Sequence, residues 1–102
     1  MSGASDGVRA GGFEGKVALV TGAAGGMGRA TALAFAAAGA QVVAADIVTD
    51  RGEEAVDAIK RDGGSACFVR NDVSSSGDVE AAVAAAVANF GGLDCACNAA
   101  AI

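Results

Sequence analysis

The sequence predicts an α/β fold in which a parallel sheet carries helices on both faces. Short apolar runs rich in valine alternate with longer alanine-rich segments whose apolar residues recur at helical spacing. The apolar runs begin at residues 16, 41, 65 and 93, which leaves room for one helix between each pair. Four strands and three helices in alternation predict a doubly wound parallel sheet. This sheet is predicted to be incomplete, because one strand edge and part of one face would stay uncovered.

The first three elements are predicted from hydrophobicity and from their boundaries. Residues 16–21 form a continuous apolar run between two glycines, which is typical of a buried parallel strand. Residues 26–38 are predicted to form a helix, and the side chains that share its helical spacing are Met27, Ala30, Thr31, Ala34, Phe35 and Ala38. We interpret Met27 and Phe35 as core or helix-packing residues. Residues 41–46 are predicted to form the second strand.

Two helices and two strands follow. A surface helix is predicted over residues 50–62, and its inward-facing residues are Ala55, Val56 and Ile59. Residues 65–70 are predicted to form the third strand. The next helix has N-cap candidates at residues 74–76 and ends before Gly91, and its apolar stripe comprises Val79, Val83, Val87 and Phe90. Residues 93–98 are predicted to form the fourth strand.

Length and composition exclude several classes of protein. The chain has 102 residues, the size of one small domain, and 53% of them are hydrophobic, as in globular proteins. A net charge of −5 without a basic cluster argues against nucleic-acid binding. No apolar run is long enough to predict a membrane span. Histidine is absent, which removes the commonest metal ligand and the commonest general base.

Neither the N-terminal residues nor the cysteines indicate a catalytic or metal-binding site. Residues 1–13 are rich in small and polar residues without periodicity, so we expect a flexible leader. Three cysteines without a CxxC pair form no disulfide framework and favour a reduced, cytoplasmic setting. Cys95 and Cys97 would share one face of a strand, as a metal or redox pair does. Buried cysteines are more often small hydrophobes, and we predict no metal site.

A glycine-rich segment lies between the first strand and the first helix. Its glycines stand in the spacing GxxxGxG at Gly22, Gly26 and Gly28. Such a turn lets backbone N–H groups and a helix N-terminus approach a phosphate without Cβ clashes. An ordinary strand–helix turn is the alternative. The strand before and the helix after favour a pyrophosphate site, and the candidate binding residues are Gly22, Ala24, Gly25, Gly26, Met27 and Gly28.

An aspartate ends the second strand, where the adenosine ribose of a dinucleotide would lie. The Asp46 carboxylate can accept hydrogen bonds from both ribose hydroxyls and would repel a 2′-phosphate. The neighbouring Ile47 and Gly25 offer no cation for such a phosphate. The alternative is a solvated aspartate that begins a loop. We therefore predict NAD, rather than NADP, as the cofactor, and include Asp46 and Ile47 in the candidate site.

These residues resemble the classical short-chain dehydrogenase/reductase family, whose fingerprint is TGxxxGxG. The resemblance runs from about Gly15 to Ile102, and implies that residues 14–102 are the N-terminal part of a dinucleotide-binding Rossmann-type domain. It also implies that Asp72 and Val73 hold the adenine ring. From the sequence alone, a turn or helix-start role for Asp72 is equally open.

The last residues match the family's Asn-Asn-Ala-Gly strand end only in part. Asn98 and Ala100 match and are cofactor-binding candidates, whereas Ala99 and Ala101 replace the second asparagine and the glycine. Losing the amide removes a possible hydrogen bond. The added methyl group at Ala101 is expected to crowd the backbone near the cofactor.

The resemblance implies hydride transfer between NAD(H) and a small alcohol or carbonyl substrate. The family's reaction uses a serine and a Tyr-x-x-x-Lys motif, and this chain contains no tyrosine. We therefore assign no catalytic residue, expect the chain alone to be inactive, and interpret it as the N-terminal portion of a longer protein. A homo-oligomer is expected only for that longer protein. Two alternatives are a noncatalytic nucleotide-binding or subunit-pairing module and a Rossmann-type protein with another ligand, such as a methyltransferase.

Overall fold

The computed structural model describes residues 12–70 and 76–98, with side chains at 12–70 and 80–97. Strands and helices alternate along the chain as predicted. Their bounds are β1 Val17–Thr21, α1 Gly26–Ala37, β2 Gln41–Asp46, α2 Thr49–Arg61, β3 Ala66–Arg70, α3 Ser76–Phe90 and β4 Cys95–Asn98. None of the described helices has the length and apolar character that crossing a membrane requires.

The predicted ends of the elements differ from the observed ends by at most two residues. The largest difference is at β4, which was predicted to begin at residue 93. The reason is Asp94, whose carboxylate Oδ2 accepts a hydrogen bond from the Val17 N–H at 2.8 Å. The Asp94 N–H donates to the Val17 carbonyl at 2.9 Å. A side chain thus makes one of the two bonds to the first residue of β1, and regular pairing begins only after it.

The four strands form one parallel sheet in the order β3-β2-β1-β4. The chain moves outward from β1 to β3 and then returns to place β4 on the other side of β1. The order therefore reverses between β1 and β4, which is the switch point where doubly wound sheets bind their ligands. Thr21 lies in register with Ala45 of β2 and with Asn98 of β4, so the carboxyl ends of the three strands are level. The predicted Rossmann-type α/β fold is confirmed.

The core occupies both faces of the sheet because successive strand residues point to opposite sides. A first core cluster joins the sheet to α1 and α2, and consists of Val20, Ala23, Ala32, Val42, Ala44, Val56, Ile59 and Ala66. A second core cluster joins the sheet to α3, and consists of Val17, Leu19, Val43, Ala45, Ala82 and Ala86. Ala55, Val56 and Ile59 of α2 are buried, as predicted.

The interpretation of Met27 as a core or helix-packing residue of α1 is wrong, whereas that of Phe35 is confirmed. Met27 is 58% exposed, and Ala30 and Ala34 are exposed as well. The fully buried residues of α1 are Gly28 and Ala32, and Phe35 is only partly buried against the first core cluster. In a helix where almost every position is apolar, hydrophobicity does not identify the buried face. The smallest side chains face the sheet because they allow the shortest distance between helix and strands.

The apolar stripe predicted for α3 is wrong at Val83 and Val87. Val83 and Val87 are exposed, whereas Ala82 and Ala86 are completely buried in the second core cluster. Phe90 is partly buried against the same cluster. The side chain of Val79 lies outside the described residues. As in α1, the residues of the helix that are completely buried against the sheet include alanines, while its larger residues are partly buried or exposed.

The chain just before β1 packs against the end of α1. Phe13, the last residue of the predicted leader, donates its N–H to the Ala38 carbonyl at 3.1 Å. Its ring contacts Phe35 edge-on, with ring centroids 5.4 Å apart. Residues 1–11 of the predicted leader lie outside the described residues.

We expect Ile59→Ala to lower the free energy of unfolding by about 2–5 kcal/mol, because the side chain is 1% exposed and leaves a cavity when truncated. Ile47→Ala is the matched control: the same atoms are removed from a side chain that is 50% exposed, and we expect a change within about 0.5 kcal/mol. Urea-induced unfolding of both variants measures the difference. Equal losses would contradict the assignment of Ile59 to the core.

Candidate functional site

The glycine loop, residues 22–25, connects the carboxyl end of β1 to the start of α1. Gly22 has φ +71°, a left-handed conformation that residues with a Cβ rarely adopt. The Gly25 N–H donates to the Gly22 carbonyl at 3.2 Å and closes the turn. The Ala23 N–H donates to the Ala45 carbonyl at 3.1 Å and attaches the loop to β2. Backbone hydrogen bonds within the loop and to β2 therefore contribute to its shape.

Gly28 allows α1 to approach this turn closely. A Cβ at Gly28 would lie 1.9 Å from the Gly22 carbonyl oxygen and 2.6 Å from its carbon, which no real structure tolerates. By contrast, a Cβ at Gly26 would meet no atom within 4 Å, and one at Gly25 would meet only the Gly22 oxygen at 3.7 Å. The fold thus requires the absence of a side chain at Gly28. At Gly25 and Gly26 that absence leaves open space in front of the loop.

The N-terminus of α1 has the features that attract an anion. Its N-cap residue, Gly25, has no side chain to accept a hydrogen bond, and the first turn contains no acidic residue. The first N–H groups of a helix have no partner within the helix, and they carry the positive end of its dipole. These groups belong to Gly26, Met27 and Gly28. Because Gly25 and Gly26 are exposed, a phosphate can reach them.

Asp46 lies at the end of β2, beside the glycine loop. Its Oδ2 accepts a hydrogen bond from the Ala24 N–H at 3.0 Å, and its Oδ1 accepts one from the Val48 N–H at 2.9 Å. The side chain is only partly buried, so part of the carboxylate stays accessible. Ile47, the next residue, is half exposed at the same edge of the sheet. Ala24 was predicted as a binding residue, but its hydrogen bond to Asp46 and that of Val48 were not, because a backbone N–H carries no sequence signal.

The structure brings most of the predicted site residues together. The residues from Gly22 to Gly28, together with Asp46 and Ile47, lie at the carboxyl ends of β1 and β2. Asn98 ends β4 in register with Thr21, and its side chain lies outside the described part of the chain. Asp72, Val73 and Ala100 also lie outside the described residues.

The observed fold agrees with a match to a known protein family over most of the chain. The family model for short chain dehydrogenase matches residues 16–102. The chain belongs to the short-chain dehydrogenase family.

Two relatives show how similar this chain is in sequence to other oxidoreductases. An uncharacterized oxidoreductase from Thermotoga maritima is 44% identical over 86 residues, which are 84% of the chain and 34% of the relative. A 2,5-dichloro-2,5-cyclohexadiene-1,4-diol dehydrogenase from Sphingobium indicum is 48% identical over 90 residues, which are 88% of the chain and 35% of the relative. The chain thus spans about a third of the length of these relatives.

A solved structure shows the same fold. The crystal structure of hydroxysteroid dehydrogenase from Escherichia coli matches the short-chain dehydrogenase chain with a TM-score of 0.83 and 38% sequence identity. The match covers 92% of the chain and 39% of that structure.

The three cysteines of the chain are partly buried and form no disulfide. Cys95 and Cys97 are in register with Ala18 and Val20, so both belong to the sheet face of the first core cluster. Among the described residues, no group of three potential ligands is close enough to hold a metal ion. Cys67 packs against the second core cluster, and its burial raises the pKa of the thiol, while the nearby Lys60 ammonium opposes that effect.

We expect Gly28→Ala to destabilise the chain by about 2 kcal/mol or more, because the new methyl group would overlap the Gly22 carbonyl. Gly26→Ala is the matched control within the same motif, and it should change stability by less than about 1 kcal/mol, since its Cβ meets nothing. Thermal unfolding followed by circular dichroism compares the two. Similar effects would show that close helix packing is not the reason for the third glycine.

The pKa of the Cys67 thiol is raised, so we expect its thiolate fraction near pH 8 to be smaller than that of N-acetylcysteine. Alkylation by iodoacetamide, measured on a Cys95→Ser/Cys97→Ser chain, should therefore be slower, with its midpoint at higher pH. Lys60→Met should slow the reaction further, whereas Arg61→Met serves as the control for loss of a neighbouring charge. An alkylation midpoint at or below that of the free thiol would refute this account.

Proposed function

We propose that this chain is the cofactor-binding part of an NAD-dependent oxidoreductase, which transfers hydride between NAD(H) and an alcohol or carbonyl substrate. One observation carries the proposal: an open, positively polarised helix N-terminus lies beside an accessible carboxylate at the switch point of a parallel sheet. The first element suits a pyrophosphate and the second suits a ribose. Residues 14–102 are proposed to be the N-terminal part of the dinucleotide-binding domain.

The residues present fit the pyrophosphate. A Cβ at Gly25 or Gly26 would occupy the space in front of the loop, which packing within the chain leaves open. The N–H groups of Gly26, Met27 and Gly28 would donate to phosphate oxygens, and Gly22 would shape the turn. Ala24 contributes by attaching the loop to Asp46. The cofactor, when bound, supplies the hydride chemistry.

Asp46 supports NAD over NADP. A carboxylate has room to accept hydrogen bonds from two ribose hydroxyls, and its charge opposes a 2′-phosphate at the same position. Neither Gly25 nor Ile47 carries a positive charge to offset that repulsion. For other parts of the cofactor, the family resemblance supports Asp72 and Val73 at the adenine and Asn98 and Ala100 near a ribose.

Catalysis and substrate choice are proposed for the whole protein. The family's serine and Tyr-x-x-x-Lys are proposed to follow Ile102, together with the substrate site and any contacts between subunits of a homo-oligomer. The chemistry in the relatives' names, oxidation of a cyclohexadiene diol or of a hydroxysteroid, is theirs and supports only a general alcohol–carbonyl reaction here. Three unpaired cysteines support the cytoplasmic setting expected from the sequence.

Titration of the ¹⁵N-labelled chain tests the cofactor. NAD is expected to shift the amide resonances of Gly26, Met27 and Gly28, and to bind at least about fivefold more tightly than NADP. That ratio corresponds to repulsion of about 1 kcal/mol between unit charges roughly 4 Å apart in water. NMR is chosen because it detects weak complexes. Equal affinities for both dinucleotides would remove the proposed role of Asp46 in discrimination.

A matched pair of variants tests the location of the phosphate. Gly26→Ala is expected to weaken NAD binding by about tenfold, because its methyl group would occupy the space in front of the loop. Gly92→Ala is the control, since a Cβ there also meets nothing within 4 Å but lies between α3 and β4. If both variants bind NAD like the unchanged chain, the phosphate does not lie at Gly26.

The open reading frame after codon 102 tests the enzymatic part of the proposal. We expect it to continue and to encode a serine followed by Tyr-x-x-x-Lys. Sequencing the genomic DNA and measuring the mass of the native protein decide the matter. A stop codon at this point would contradict the proposal and favour a noncatalytic nucleotide-binding or subunit-pairing module.

A further inference from the structure

The Asp46 carboxylate connects two loops that lie on either side of the proposed ribose position. Oδ2 accepts the Ala24 N–H of the glycine loop at 3.0 Å, and Oδ1 accepts the Val48 N–H at 2.9 Å. Ala24 precedes α1, and Val48 is the N-cap residue of α2. A single side chain therefore joins the segment before one helix to the segment before the next.

The glycine loop has only two hydrogen bonds to β2 among those described. One runs from the Ala23 N–H to the Ala45 carbonyl at 3.1 Å, and the other runs from the Ala24 N–H to Asp46. The first uses only backbone groups and would form with any residue at position 46. The second depends on the identity of the side chain. It is also the bond nearer to Gly25 and Gly26, whose open space faces the proposed pyrophosphate.

We infer that Asp46 is a positioning residue for the phosphate-binding loop, in addition to being the proposed acceptor for the ribose hydroxyls. A carboxylate has about four lone-pair positions, and the two backbone bonds use two of them. The remaining positions can accept the ribose diol without releasing the loop. Recognition of the ribose and the shape of the pyrophosphate site then depend on the same group. This inference rests on the proposed function for its ligand, but not for the two hydrogen bonds.

If Asp46 positions the loop, removing its side chain should change the affinity for an anion in the direction opposite to that expected from charge alone. Asp46 carries a negative charge close to a proposed anion site, so simple electrostatics predicts that removing it strengthens the binding of any anion. If the carboxylate instead holds the loop in its binding shape, its removal weakens the binding of an anion that has no ribose. Inorganic pyrophosphate is such a probe. The two explanations are therefore distinguished by the sign of the effect.

Hydrogen exchange of the ligand-free chain provides the first test. In Asp46→Ala, the Ala24 and Val48 amides are expected to exchange about tenfold faster or more, because each loses a hydrogen bond to a charged acceptor. Asp46→Asn keeps one carbonyl oxygen and should restore protection of one of these amides. Asp50→Ala, an exposed acidic residue in the first turn of α2, is the charge-matched control and should change neither. The β2 amides of Val43 and Ala44 report whether the sheet remains folded.

Pyrophosphate binding provides the second test, with the amide resonances of Gly26 and Met27 as the readout. We expect Asp46→Ala to bind pyrophosphate about tenfold more weakly than the unchanged chain, and Asp50→Ala to bind it equally well or better. Unchanged Ala24 exchange in a folded Asp46→Ala chain overturns the inference, even where NAD binds the unchanged chain. A different result would be faster Ala24 exchange in Asp46→Ala while the unchanged chain responds to neither NAD nor pyrophosphate. That result would support the hydrogen bond between Asp46 and the loop and would refute the proposed function instead.

Discussion

The distance between α1 and the end of β1 controls the rest of this structure. At Gly28 the helix backbone comes so close to the Gly22 carbonyl that a single added carbon would lie 1.9 Å from its oxygen. This contact places the first turn of the helix directly behind the glycine loop. It also brings Ala32, one turn later, against the first core cluster. The position of the proposed anion site and the packing of one sheet face thus result from the same short distance.

Small side chains also allow the other two helices to pack close to the sheet. Alanines rather than larger residues connect α3 to the second core cluster, and Gly52 of α2 lies under the ring of Phe68. Close approach increases the number of atoms in van der Waals contact, which compensates for the small area that each alanine buries. It also explains why valines at positions 83 and 87 remain on the outer side of α3.

Topology brings the polar groups of the site together. Because β1 and β2 are parallel neighbours, the loops that follow these two strands lie at the same end of the sheet. Asp46 can then reach the glycine loop, although 22 residues separate it from Ala24 in the sequence. The hydrogen bonds of its carboxylate convert two neighbouring loops into one connected surface. The family match agrees with this architecture over residues 16–102.

The sequence by itself determined which strands and helices follow one another along the chain and their bounds to within two residues. It also located the glycine loop and Asp46. Apolar runs, glycine spacing and strand ends are local patterns, and they were sufficient for these conclusions. Only the tertiary structure decided which faces of α1 and α3 are buried and which backbone N–H groups bind Asp46, whereas the buried face of α2 followed from its sequence. In helices made largely of alanine, every face is nearly as apolar as the next, so helix–sheet distance selects the buried one. A backbone N–H is common to almost every residue, so only its position in space shows that Ala24 and Val48 contact the carboxylate.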